Sequence, residues 1–267
     1  MNTNKILFAL AGLVAGCAIG FFFANSVNRK ELEELRAEVA RARSSSNGGA
    51  NSNSQGQRSP NQSTTAGATN DPSASMPSED ELRNIIAKAD ASPNDADYQR
   101  KVGQGVYMYS LSTGTPALMN EAVRLLKRAH DADPKNYETT VLLGNSLFAL
   151  AQADDPAKFE EARGYYNKAL ETKPNDVNVH TLLGMTYYFG KPSDPQRAIK
   201  EYRKSLATDP KQEMALQSLA SALIATGAID EAQKRIEELQ TVNPSNASLS
   251  NLRAQLAQAK NAAKEKD

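Results

Sequence analysis

PNDVNVHTLLGMTYYFGKPSDPQRAIKEYRKSLATDP, residues Pro174–Pro210, carries the pattern that decides the fold. Ten residues past Pro174 stands Gly184, beside Leu183 and ahead of Tyr187 and Tyr188. Then come Ala198, Tyr202, Ser205 and Pro210. The same offsets recur on either side. Pro93 leads to Gly103, Pro134 to Gly144 and Pro210 to Ala220. In the second halves, Ala122, Leu126, Ala129 and Pro134 match Ala162, Tyr166, Ala169 and Pro174, and match Ala232, Ile236, Leu239 and Pro244. A fixed period of this size is the mark of a repeat architecture, which settles the reading of everything it covers. Four units follow, about 93–134, 135–174, 175–210 and 211–244, each of two helices with a proline stopping one and setting the turn into the next.

These residues resemble the tetratricopeptide repeat, a helix-turn-helix unit of about 34 residues. The resemblance implies an all-α fold: a right-handed superhelical solenoid with the small residues at the helix crossings and larger ones, such as Leu143, Tyr166, Leu183 and Tyr202, beside them. Spacing between successive prolines is 41, 40, 36 and 34 residues, so the first three units exceed the family length. Since the offsets within each half are constant, the excess falls between paired helices, where it either lengthens them or builds an edge.

Leu249, Leu252, Leu256 and Ala259 share one helical face, which makes 245–263 a capping helix over the last repeat. Ahead of the repeats, Ser78 and Glu81 form a capping-box signature opening a leading helix over 78–92. Residues 44–77 are chiefly Ser, Asn, Gly, Gln, Thr, Ala and Pro and read as a disordered tether with a reach on the order of 30 Å.

Residues 1–5 form a short N-terminal tail, and 6–24, ILFALAGLVAGCAIGFFFA, is an uncharged run long enough for a transmembrane helix. An uncleaved anchor fits its length; a cleaved signal with small residues at Ala24 and Ser26, and a lipidated Cys17 in Val14-Ala15-Gly16-Cys17, are the competing readings. Gly12, Gly16, Gly20 and Ala24 recur every fourth residue, a stripe on which two such helices could pair in a homodimer. Within 25–43, Leu32, Leu35, Val39 and Ala42 continue a heptad-like seam, either a short coiled coil or a single solvated helix. Basic residues after the run place the bulk in the cytoplasm by count, whereas the short tail and spacer favour an extracytoplasmic, periplasmic domain; that reading is preferred and the other left open.

Net charge is zero, with 31 basic and 31 acidic residues, which disfavours nucleic acid as a partner. The single cysteine lies in the apolar run, so the repeats hold no thiolate cluster. His130 and His180 sit in repeat helices without a carboxylate or cysteine at ligand spacing, and no phosphate loop or nucleophile motif occurs. No catalytic residue, metal or cofactor is expected.

By resemblance, the first helix of each unit lines a concave surface that binds a protein or peptide partner. The lining residues it implies include Asp97, Arg100, Gln104 and Tyr107; Glu138, Val141, Asn145 and Phe148; Asn178, Thr181, Met185 and Tyr188; and Met214, Gln217, Ser221 and Ile224. Tyr107, Phe148, Tyr188 and Ile224 form a row in register, four residues beyond each small landmark. Chaperone-binding relatives clamp a C-terminal carboxylate here, but Leu142, Asn178 and Leu182 stand where the clamp needs other groups. Anchored bacterial members assist cytochrome c maturation, a distant similarity that implies one form of envelope scaffold. The other reading is a dimeric structural spacer without a peptide groove.

Overall fold

The computed structural model describes residues 77–153 and 155–264. The apolar run, the glycine stripe, the juxtamembrane segment and all but the last residue of the tether lie outside them. No helix among the described residues is long and apolar enough to cross a membrane.

Ten helices follow one another in the described residues: α1 Glu79–Ala91, α2 Ala96–Thr113, α3 Pro116–Ala132, α4 Tyr137–Ala153, α5 Lys158–Thr172, α6 Val177–Phe189, α7 Pro195–Thr208, α8 Glu213–Ala225, α9 Ile229–Val242 and α10 Leu249–Lys264. Helices α2/α3, α4/α5, α6/α7 and α8/α9 are the four units. α1 opens on a capping box, with Ser78 accepting from the Glu81 amide and the Glu81 carboxylate accepting from the Ser78 amide.

One turn is built five times. The carbonyls of Ser92, Asp133, Lys173, Asp209 and Asn243 each accept from the amide three residues on, with a proline in the second position of the turn. The fourth residue, Asp95, Asn136, Asp176, Gln212 or Asn246, then turns its side chain onto a free amide at the start of the next helix. Proline fixes the bend, and the capping side chain satisfies a donor that the first turn of helix leaves open.

Within each unit the two helices cross on a small residue. A Cβ on Gly103 would lie 2.8 Å from Leu126 Cγ, one on Gly144 2.8 Å from Tyr166 Cε1, and one on Gly184 2.5 Å from Tyr202 Cε1. Ala122, Ala162, Ala198 and Ala232 are buried across from them. Tyr166 and Tyr202 vanish into the core, each burial stabilising by roughly 2–3 kcal/mol.

The extra length of the early units goes into helix. α2 and α3 run 18 and 17 residues and α4 and α5 run 17 and 15, against 13 and 14 for α8 and α9. In the third unit the excess enters the link 190–194, because α6 and α7 are 13 and 14 residues long. Between α2 and α3 the chain turns at Gly114, whose φ of 64° is left-handed and costs glycine nothing.

Successive first helices touch, α2 with α4 and α6 with α8, and form the tighter inner side of the stack. Long charged side chains tie α1 to the second helices and these to one another: Arg124 and Arg128 reach Asp90 of α1, Lys127 reaches Glu161 at 2.5 Å, and Arg203 reaches Glu231 at 2.7 Å. α10 packs on α8 and α9 through Leu249, Leu252 and Leu256.

Candidate functional site: the inner face of the first helices

The expected lining residues all lie on one set of helices, α2, α4, α6 and α8. Gln104, Tyr107, Asn145, Phe148, Thr181 and Met185 are buried. Arg100, Val141, Tyr188, Met214, Gln217, Ser221 and Ile224 are partly exposed, and Asp97, Glu138 and Asn178 are exposed.

The row of Tyr107, Phe148, Tyr188 and Ile224 therefore divides. Tyr107 is 3% exposed and Phe148 2%. Each stands well inside its lengthened helix, whereas Tyr188 and Ile224 are the last residues but one of α6 and α8. Neighbouring side chains cover the first two: Phe148 meets Phe159 of α5 edge to face at 5.3 Å, and Tyr107 packs in a core with Met119 and Leu150. Burial raises the hydroxyl pKa of Tyr107 and Tyr188 above the ordinary value, so both stay neutral.

Polar lining residues are engaged within the fold. Asn145 Oδ1 accepts from the Tyr166 hydroxyl at 2.9 Å, and the Thr181 hydroxyl donates to Val177 O and lies 2.9 Å from Ser205 Oγ. Arg100 lies 2.9 Å from Asp97 and 3.6 Å from Glu138, which ties the first unit to the second.

Two histidines make contacts that local spacing conceals, His180 within the third unit and His130 between the first and the second. His180 places Nδ1 2.7 Å from Glu201 Oε2 and Nε2 2.8 Å from Pro174 O. Both neighbours present acceptor oxygens to the ring. The carboxylate is 21 residues away in sequence, so only the fold brings it there. His130 stands edge-on to Tyr165 with ring centroids 5.3 Å apart, and its Nδ1 is 3.3 Å from Thr140 Oγ1. Burial, reinforced by Lys168, pushes its pKa below 6.5. Arg163 donates to Thr186 O at 3.1 Å, capping the end of α6, and lies 4.3 Å from the centre of the Tyr187 ring. Among the described residues no group of three His, Cys, Asp or Glu gathers at metal-binding distance.

This succession of paired helices, crossed on small residues and stacked with its first helices inward, defines a helix-turn-helix repeat solenoid. Residues 192–256 match the family model of the tetratricopeptide repeat. The fold is similar to a crystal structure of MamA, with a TM-score of 0.51 and 23% identity over 63% of this chain and 90% of that one. It is also similar to MamA from Desulfovibrio magneticus RS-1, with a TM-score of 0.52 and 18% identity over 64% and 88% of the two chains. YrrB, described as a tetratricopeptide-repeat protein with an unusual peptide-binding site, gives 0.52 and 15% over 66% and 83%. No curated protein matches the chain.

Proposed function

We propose that this chain is a membrane-tethered scaffold whose inner face holds a protein or peptide partner and thereby supports assembly of an envelope complex. One observation carries the reading. Val141, Tyr188, Met214 and Ile224 stand partly exposed along the first helices, where their apolar surface gains from being covered. YrrB, which shares the fold, is described as having a peptide-binding site, and that description supports the same use of this face. The tether rests on the sequence of residues 6–24 and on the polar stretch behind it.

Affinity capture of the full chain from detergent-solubilised membranes tests this, using wild type beside Met214→Glu and Ile224→Glu. A specific partner is recovered with wild type and lost with both variants, while their thermal unfolding stays within a few degrees of wild type. Equal recovery by all three contradicts the reading. Protease protection of the repeats in intact spheroplasts and inverted vesicles reports the side of the membrane.

A further inference from the structure

Beyond the first unit the inner face is almost free of charge. α4 carries Glu138, α8 carries Glu213 and α6 carries no Asp, Glu, Lys or Arg, whereas α5, α7 and α9 each carry five or six. The few charges on the first helices are already matched. Arg100 sits between Asp97 and Glu138, Lys101 Nζ is 2.9 Å from Asp97, and Glu213 accepts from Asn243 and Asn246 at 2.8 and 2.9 Å.

Apart from Glu138, which is paired with Arg100, and Asn178, each the second residue of its helix, what remains open to a ligand from the second unit onward is Val141, Tyr188, Met214, Gln217, Ser221 and Ile224. An ionised side chain laid on these residues gives up hydration and meets no counter-charge in exchange. A segment of apolar and neutral polar residues gives up little. Gln217 and Ser221 supply hydrogen-bonding groups that suit its peptide backbone. The second helices, by contrast, carry many charges on exposed side chains such as Lys200, Arg203 and Lys204, where solvent screens them.

We infer that the inner face from α4 to α8 selects a protein segment free of Asp, Glu, Lys and Arg, bound through apolar contact and neutral hydrogen bonds. This rests on the reading that the inner face is where a partner binds. Electrostatics then contributes to exclusion of wrong partners and little to attraction, so the complex is insensitive to salt.

The test pans the full chain in a non-ionic detergent against a displayed library of short random peptides, in parallel with Gln217→Lys and Ser221→Glu. Selected peptides are depleted at least threefold in the four charged residues relative to the library. Their affinity changes less than twofold over a tenfold rise in ionic strength. Gln217→Lys shifts selection toward peptides bearing Asp or Glu, and Ser221→Glu toward Lys or Arg. Wild-type binders that keep charge at library frequency, or weaken tenfold with salt, yet still respond to the two variants overturn the inference and leave the inner face as the binding site. Binders indifferent to both variants, or none at all, overturn the inner-face reading as well.

Discussion

Gly184 and Tyr202 meet so closely that a Cβ on the glycine would fall 2.5 Å from the ring carbon Cε1 and 3.1 Å from Ala198 O. Tyr202 is fully buried and cannot swing aside without uncovering the space it fills. The third unit is thereby closed on contact between a helix backbone and a ring.

Gly184→Ala therefore lowers stability by roughly 2 kcal/mol, the overpacking cost exceeding the gain in helix propensity. Gly164→Ala does the reverse. Gly164 is exposed on α5 with nothing within 4 Å of an added Cβ, so alanine there raises stability by about 0.5–1 kcal/mol. Urea denaturation of the two variants checks both signs, and a neutral Gly184→Ala would show slack in the crossing.

The pairing of His180 with Glu201 is 7% and 13% exposed at the side chains, so it is poorly screened. Removing the carboxylate with Glu201→Ala costs about 2 kcal/mol, because it leaves a ring nitrogen without its partner. A double-mutant cycle with His180→Leu measures the coupling. A value below about 0.3 kcal/mol would mean that the contact contributes nothing.

His130 gives the fold a dependence on acidity. Its folded pKa is depressed by burial and by Lys168, so as pH falls the unfolded chain takes up a proton first. The contribution is complete above the unfolded value near 6.5 and is lost as pH falls from there through the lower folded value. His130→Gln, which removes the charge and keeps a hydrogen-bonding group near Thr140, flattens the fall in urea midpoint below pH 6.5. An unchanged slope would assign the dependence to other groups.

Asp90 ties the leading helix to α3 through Arg124 and Arg128. Hydrogen bonding from Arg124, aided by Arg128, holds its carboxyl below the usual range, so the link persists into acid that would neutralise a free carboxylate. Asp90→Asn loosens α1 locally. Hydrogen exchange at the Leu82–Ala89 amides rises severalfold while the core amides around Leu143 and Leu182 keep their protection. Uniform acceleration would mean that α1 unfolds only with the whole.

The repeat was legible because its signals are local and periodic. Gly103, Gly144 and Gly184 lie at one offset from a proline, and Tyr166 and Tyr202 at one offset from an alanine, so the crossings are written in the sequence itself. The side-chain environment was less legible where it depends on residues elsewhere. Tyr107 and Phe148 share the register of Tyr188, but Met119 of α3, Leu150 of α4 and Phe159 of α5 cover them, and nothing at those two positions announces it. The contact of His180 with Glu201 joins two helices and leaves no trace in spacing. The five capping residues two places past each proline were readable, yet their identities vary among Asp, Asn and Gln, which hides the rule.

Position-specific photo-crosslinking in cells tests the central claim most directly. A photoreactive amino acid is placed in the full chain at Val141, Gln217 or Ser221 on the inner face, and at Gly164, Lys200 or Gln233 on the second helices. One discrete adduct of constant identity is expected from the three inner positions, abolished by Met214→Glu, and none from the outer three. Adducts of equal yield from both sets, or from the outer set alone, would contradict the claim.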